Sequence, residues 1–167
     1  LPISVNVSRT YLQKEDVAGY IKNLIDKYQI PMELFQLEIT ETTENAESLS
    51  YINSLKQAGF TLLMDDFGSG YSSLCMLKNT PFDVLKMDRQ FLDECLDSKQ
   101  GKTIISPVIS MSNDLGLSII AEGVENRGTA DFLYDNGCSV SQGFYFSKPV
   151  PIPEFEHMLD EQQTEQQ

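Results

Sequence analysis

The 167-residue sequence is short of the residues that build many metal and thiol sites. It contains one histidine, three cysteines and no tryptophan. Zinc sites use mainly cysteine and histidine ligands, so this composition argues against a zinc centre. The three cysteines, Cys75, Cys95 and Cys138, show no CxxC spacing, which indicates buried thiols in a reducing compartment. The single histidine, His157, lies in a polar C-terminal region, which argues against a catalytic thiol–imidazole pair.

Basic residues and long apolar runs are also scarce. Twelve Lys and Arg residues face 25 Asp and Glu residues, which gives a net charge of −13. This balance argues against binding a nucleic acid polymer through its phosphates, and an anionic substrate would need a bound cation as a bridge. No apolar run approaches the roughly 18 residues of a membrane span, and no signal peptide opens the chain, so we expect no membrane contact by this segment.

The sequence alternates between strand-like and helix-like hydrophobic patterns, and its length is that of one domain. The sequence predicts strands at 3–8, 34–40, 61–66, 83–88, 117–124 and 139–147. It predicts helices around 21–28, 44–57, 104–116 and 126–136, and a frayed polar C-terminal tail. This order indicates an α/β fold with a parallel sheet and right-handed crossovers. The chain lacks an initiator methionine and a strand pattern starts by Ile3, so we expect a fragment of a longer protein.

Two parallel folds fit this alternation. The repeat of about 25 to 30 residues is the size of a (β/α) barrel unit, but a barrel needs eight units and about 250 residues, and only six units are visible. A doubly wound sheet is the alternative, and its glycine fingerprint is absent after the first strand. Composition favours neither fold.

Polar side chains recur at the carboxyl end of every predicted strand. They are Asn6, Glu38, Asp65, Asp66, Lys86, Asp88, Glu122 and Gln142. Parallel strands bring such residues to one mouth, where active sites of α/β folds lie. Taken singly, Asn6 is explained as a turn residue and Lys86–Asp88 as a plain ion pair. Five carboxylates at one end, however, need compensation, because crowded carboxylates raise one another's pKa or destabilise the fold.

The donor types indicate which cation would compensate them. Oxygen ligands without cysteine or histidine suit Mg²⁺ or Mn²⁺. The adjacent Asp65 and Asp66 could serve two ions about 3.5–4 Å apart, an arrangement used in phosphoryl transfer. Lys86 could then position or deprotonate an attacking water. The Gly68-Ser69-Gly70 loop is not followed by lysine, so it does not match a P-loop.

Six strings in this order resemble one family across essentially the whole chain. They are SVNVS (4–8), LEITE (37–41), DDFGSGYSSL (65–74), LKMD (85–88), AEGVE (121–125) and QGFYFSKPVP (142–151). They resemble the EAL domain, the cyclic-di-GMP phosphodiesterase of bacterial signalling. The resemblance implies a (β/α)8 TIM-like barrel, present here with about six β/α units. Residues 1–157 would hold barrel strands three to eight, and 158–167 would be the polar tail.

The resemblance also implies a role for each matching position. Asn6, Glu38, Asp65, Asp66, Asp88 and Glu122 would surround a two-metal site of Mg²⁺ or Mn²⁺. Lys86 would orient the nucleophilic water, Glu122 is the competing candidate for the general base, and Gln142 would lie close to the metals or substrate. Gly143, Phe144 and Pro149 would contact substrate. A functional loop would include Phe67, Gly68, Ser69, Gly70 and Ser72, with Ser69 standing where threonine is usual and Glu41 anchoring the loop.

The activity implied is hydrolysis of cyclic di-GMP to linear pGpG by a cytoplasmic bacterial domain. The family implies a homodimer, with sensory or diguanylate-cyclase domains upstream in the parent protein. The Glu-Ala-Leu motif is absent from this chain, so we expect residues 1–167 alone to be nearly inactive, with exposed sheet edges. A non-catalytic cyclic-di-GMP receptor is the main alternative. A weaker one is another Mg²⁺-dependent barrel enzyme that uses Lys86 as a base.

Overall fold

The computed structural model describes residues 1–8, 16–40, 46–68 and 73–165, and its centre is one parallel sheet. The strands are β1 Ile3–Asn6, β2 Phe35–Thr40, β3 Thr61–Phe67, β4 Val84–Met87, β5 Ser118–Ala121 and β6 Val140–Ser141. The helices are α1 Val17–Tyr28, α2 Ala46–Gln57, α3 Ser73–Asn79, α4 Arg89–Leu96, α5 Lys99–Asp114, α6 Arg127–Asp135 and α7 Ile152–Glu165. A short 3-10 helix, Met32–Leu34, precedes β2.

The strand order separates the two folds that the sequence left open. The order is β1-β2-β3-β4-β5-β6, and every neighbouring pair is parallel. A doubly wound sheet reverses direction at a switch point, so its strand order is not sequential. The six strands instead form a curled half-barrel, as the barrel interpretation predicted. The expected open edge is also present: among the described residues β1 pairs only with β2, and all four of its residues are exposed.

The hydrophobic core lies between one face of the sheet and the helices. Leu37 and Ile39 of β2 are almost fully buried there, and so are Ile52 and Leu55 of α2. Alternate residues of a strand point to opposite faces, so Glu38 faces the other, concave side. Glu38 thus points away from the core and pairs with Lys86 on that side. No helix in the described ranges has the length and apolar character to cross a membrane.

Several predicted boundaries were wrong for physical reasons. The sixth strand covers only Val140–Ser141, because the chain turns after it, with Phe146 N–H donating to the Gly143 carbonyl at 3.0 Å. Helix α5 begins at Lys99, earlier than the predicted residue 104, and Pro107 lies inside it. The supposed frayed tail is helical up to Glu165. Helices α3 and α4 were missed, because seven- and eight-residue helices carry too little apolar periodicity.

Candidate active site

A β-bulge in β3 explains how two adjacent carboxylates share one end of the sheet. Met64 pairs with Leu85 and Phe67 with Met87, so two residues of β3, Asp65 and Asp66, lie opposite the single residue Lys86. Such a bulge bends the strand locally and re-aims a side chain. Asp66 adopts a left-handed backbone with φ of +59°, which aspartate tolerates better than most residues. Asp65 is buried, whereas Asp66 is half-buried.

The buried Lys86 ammonium is the centre of the cluster. Its Nζ lies 2.6 Å from Glu38 Oε1, 2.8 Å from Asp65 Oδ1 and 2.7 Å from Glu122 Oε1. These partners come from β2, from β3 and from the turn after β5, so the curl of the sheet directs them to one point. An ammonium has three N–H donors, and three carboxylates accept from it here. Asp88 does not pair with Lys86: it caps α4 by accepting from Gln90 N–H at 2.8 Å.

Backbone hydrogen bonds hold the two turns that carry Glu122 and Gln142. Glu122 N–H donates to the Met87 carbonyl at 3.0 Å, and Gln142 N–H donates to the Ala121 carbonyl at 2.8 Å. The ladder therefore continues for one residue beyond β5 and β6. This extension lets Gln142 Nε2 donate to Glu122 Oε1 at 2.7 Å. Lys86 and Gln142 thus both bind the same oxygen of Glu122.

The buried Lys86 and the partly buried Glu122 have shifted pKa values. Burial disfavours the charged form of Lys86, but hydrogen bonds to Asp65, Glu122 and Glu38 outweigh it and raise the pKa of the ammonium above its ordinary value. Burial raises the pKa of Glu122, which Lys86 lowers in part through their hydrogen bond and opposite charge. Lys86 is therefore held as a cation, whereas the Glu122 carboxyl accepts a proton more readily than an ordinary glutamate.

The remaining predicted ligands are two further carboxylates, Asp66 and Asp88, and the neutral amide of Asn6. Burial raises the pKa of Asp66, and the carboxylates of Asp65 and Asp88 raise it further. Asn6 is exposed at the end of edge strand β1, where it pairs in register with Glu38. At this end of the sheet, five carboxylates accompany one ammonium.

A cleft of about 610 Å³ begins beside Glu122 and contains the residues predicted to bind substrate. Gly143, Phe144 and Pro149 line it, together with Gln142, and this volume is within the range of small-molecule sites. A Cβ on Gly143 would lie 2.3 Å from the Val124 carbonyl oxygen, so only glycine lets these two backbones approach.

Two basic residues of the cleft, Arg89 and Lys148, were not predicted from the sequence. The Arg89 guanidinium pairs with Glu125 at 2.7 Å, and Lys148 Nζ lies 5.7 Å from the centre of the Phe144 ring. A signal was available for both: Arg89 directly follows LKMD, and Lys148 lies within QGFYFSKPVP.

The structure describes the first two residues of the predicted functional loop, Phe67 and Gly68. Phe67 is buried, its ring makes an edge-to-face contact with Phe91 at 6.1 Å, and Gly68 follows directly. Glu41, Ser69, Gly70 and Ser72 lie outside the described residues.

The oxygen atoms of the predicted site are suitable ligands for a hard cation, but in this structure the carboxylates are arranged around Lys86. Among residues 1–8, 16–40, 46–68 and 73–165, no three Asp, Glu, His or Cys side chains form a ready metal-binding group. Glu38, Asp65 and Glu122 bind the ammonium instead. Three carboxylates share this one ammonium, and carboxylate oxygens are the ligands that Mg²⁺ and Mn²⁺ take.

Two curated proteins illustrate what this chain is similar to. It is 38% identical to Signaling protein YkoW of Bacillus subtilis, over 99% of this chain and 21% of YkoW. It is 35% identical to the cyclic di-GMP phosphodiesterase RocR of Pseudomonas aeruginosa, over 95% of this chain and 40% of RocR. The chain therefore spans less than half the length of these two relatives.

Solved structures agree with the fold. The chain matches the EAL domain of Mycobacterium smegmatis DcpA with a TM-score of 0.90 and 32% identity, over 96% of this chain and 74% of that one. It matches a manganese and cyclic-di-GMP complex of Klebsiella pneumoniae BlrP1 with a TM-score of 0.82 and 28% identity, over 89% of this chain and 39% of that one. A family model of the EAL domain matches residues 1–149. The chain belongs to the EAL domain family.

Proposed function

We propose that this chain is the greater part of a phosphodiesterase domain that hydrolyses cyclic di-GMP to linear pGpG. The observation that carries the proposal is the convergence of Glu38, Asp65 and Glu122 on Lys86 at the head of a ligand-sized cleft. Its relative RocR is named for this activity, and BlrP1 was solved with manganese and cyclic di-GMP.

Divalent cations, Mg²⁺ or Mn²⁺, complete the proposed site. The residues that would hold them are Asn6, Glu38, Asp65, Asp66, Asp88 and Glu122. When bound, such ions offset charge on the phosphodiester and lower the pKa of water. Binding would require some of the carboxylates now on Lys86 to turn toward the cations.

The pKa shifts of Lys86 and Glu122 give these two residues different roles in the proposed reaction. Lys86 stays protonated and its three N–H donors are occupied, so it serves as a hydrogen-bond donor and fixed positive charge rather than as the base. Glu122, with its raised pKa, is the better acceptor for the proton of the attacking water. Water oxygen bonds to phosphorus, one phosphodiester P–O bond breaks, and the leaving 3′ oxygen takes a proton. Gln142 orients the Glu122 carboxylate through its 2.7 Å hydrogen bond.

The cleft supplies the features that a cyclic dinucleotide needs. Phe144 is 55% exposed and offers a ring face for stacking on a guanine. Lys148 places a positive charge beside an anionic substrate, although the chain as a whole carries −13. Gly143 and Pro149 also line the cleft.

The activity is a property of the domain in its natural protein. We propose that residues 1–167 alone hydrolyse cyclic di-GMP only slowly. The predicted ligand Asn6 lies on the edge strand β1, which is exposed to solvent and, among the described residues, pairs with no strand on its outer side.

We also propose that the parent protein is a homodimer with sensory or cyclase domains. The functional loop after β3 would connect the dimer to the site.

The test uses the natural full-length protein incubated with cyclic di-GMP and Mn²⁺ or Mg²⁺, with pGpG measured by chromatography. We expect metal-dependent turnover that Lys86→Met and Glu122→Gln each reduce by at least about a hundredfold. Lys22→Met, at an exposed position of α1, is the matched control and should retain full activity. No pGpG from the unmodified protein at any divalent metal would overturn the proposal.

A second candidate is a receptor that binds cyclic di-GMP without cutting it. One observation favours it: Glu38, Asp65 and Glu122 bind Lys86, so no metal site is preformed within the described part of the chain. Calorimetric titration of the same protein with cyclic di-GMP separates the two functions. Binding in Mn²⁺ without any pGpG would favour the receptor, whereas binding followed by turnover would favour the enzyme.

A further inference from the structure

Two arginines begin helices in the same way but differ in what lies beside them. Arg89 opens α4 and Arg127 opens α6, and each directs Nε to an aspartate four residues later, Asp93 and Asp131, at 3.3 Å. Arg89 makes a second ion pair, from Nη1 to Glu125 Oε1 at 2.7 Å. Among the described residues, no second ion pair accompanies the one made by Arg127.

The stem of Arg89 also packs against the chain between Glu122 and Glu125. Gly123 has φ of +66°, and a Cβ built on it would lie 2.5 Å from Arg89 Cγ. The backbone at Gly123 therefore rests directly on the aliphatic part of Arg89. This segment has no helix or strand of its own, so side chains from other elements must fix its shape.

From these contacts we infer that Arg89 is a positioning residue for Glu122. The inference depends on the proposed phosphodiesterase function. Arg89 holds the turn at two points, Gly123 and Glu125, on the C-terminal side of Glu122. The Glu122 N–H bond to the Met87 carbonyl holds the other side. Together these contacts keep the Glu122 carboxylate on Lys86 and Gln142.

The structure predicts that this contact affects rate far more than stability. The Arg89 and Glu125 side chains are 53% and 46% exposed, and ion pairs in such surroundings contribute little to folding. A displaced proton acceptor, in contrast, costs rate steeply, because about 1 Å of misplacement can reduce turnover by about a hundredfold.

The experiment compares Arg89→Ala with the matched control Arg127→Ala in the full-length protein with Mn²⁺ and cyclic di-GMP. We expect Arg89→Ala to lower kcat by about ten- to a hundredfold with little change in KM or in melting temperature. Arg127→Ala should change none of these. Arg89→Lys keeps the positive charge and most of the stem under Gly123, so it should recover part of the lost kcat.

A double-mutant cycle adds a test that does not depend on one variant folding well. Glu125→Gln should lower kcat in the same way, and Arg89→Ala combined with Glu125→Gln should be no slower than Arg89→Ala alone. Equal kcat for the Arg89 and Arg127 variants would overturn the inference. So would a rise in KM without loss of kcat, which would place Arg89 on the substrate instead. If the unmodified protein is inactive, the proposed function itself fails, and the two failures are thus distinguishable.

Discussion

The two faces of strands β2 to β4 are equally buried but opposite in chemistry. Toward the helices lie Ile39, Met64 and Leu85, each 0% exposed. On the concave side, one residue along the chain from each, lie Glu38, Asp65 and Lys86, with exposures of 7%, 8% and 5%. Burial therefore does not separate the face that holds the fold together from the face that we propose performs the chemistry.

The difference lies in how each face offsets the cost of its burial. Removing apolar side chains from water stabilises the fold directly, by about 25 cal/mol per Å². Burying ions costs free energy that only good pairing returns, and replacement of such ions by apolar residues is often neutral or stabilising. The concave face therefore persists because the helix-packed face supports it. Substitutions on the two faces should therefore lower the free energy of unfolding for different physical reasons.

The largest effect is expected for Lys86→Met on the concave face. The substitution leaves Glu38, Asp65 and Glu122 buried together without their shared cation. Breaking a buried ion pair costs about 3–5 kcal/mol in free energy of unfolding. The pKa of Lys86 is raised, so its stabilisation is fully present below the ordinary lysine value of 10.5 and is lost only as pH rises through the higher folded pKa. Urea unfolding at pH 7 without metal measures this loss.

Acidification is the control for that interpretation. As pH falls toward 4, Glu122, whose pKa is raised by burial, takes up a proton, and the gap in free energy of unfolding between the wild-type protein and Lys86→Met should narrow. A gap that stays constant over this range would show that lost packing, and not unpaired charge, is the cause.

A somewhat smaller effect is expected for Leu85→Ala on the helix-packed face. Leu85 is 0% exposed within the core cluster, and such truncations cost about 2–5 kcal/mol. This loss should be independent of pH and of added Mn²⁺, unlike that of Lys86→Met. Leu85→Met, which nearly conserves volume, should cost less than about 1.5 kcal/mol. A loss for Leu85→Ala that changed strongly with pH would contradict the separation of the two faces.

The sequence predicted the central strands and the polar residues at their carboxyl ends. Glu38 was identified in this way, and Leu37 and Ile39 on either side of it are buried in the core. The strand ends also identified Asp65, Lys86, Glu122 and Gln142, which the structure brings into one hydrogen-bonded group. Their roles stay predictions.

Features set by tertiary contact could not be predicted. The bulge at Asp66 depends on the pairing of β3 with β4, and no local pattern encodes it. Asp88 was expected beside Lys86, but the start of α4 recruits its carboxylate as a cap. The position of Arg89 directly after LKMD was a signal, but its contacts with Gly123 and Glu125, more than thirty residues away in the sequence, were not predictable.

The smallest effect, and the sharpest test of the concave face, is expected for Asp66→Asn. Asparagine has nearly the same shape and also tolerates the left-handed backbone that Asp66 adopts. Only the charge is removed. Burial and the carboxylates of Asp65 and Asp88 raise the pKa of Asp66, so ionised Asp66 is unfavourable without metal. Asp66→Asn should therefore increase the free energy of unfolding at pH 7 by less than about 1 kcal/mol, the range of partly exposed charge interactions.

The pH and metal dependence of Asp66→Asn follow from the sign of that shift. A raised pKa means that the Asp66 carboxyl stabilises the fold below its ordinary value of 3.8 and loses this contribution as pH rises through the folded pKa. The gain in free energy of unfolding from Asp66→Asn should thus be absent near pH 3 and complete at neutral pH. Added Mn²⁺ should reverse the order at pH 7, because an anionic Asp66 gains a cation that asparagine binds weakly. If Asp66→Asn is the less stable protein at pH 7 in the absence of metal, Asp66 has a partner that this charge balance leaves out.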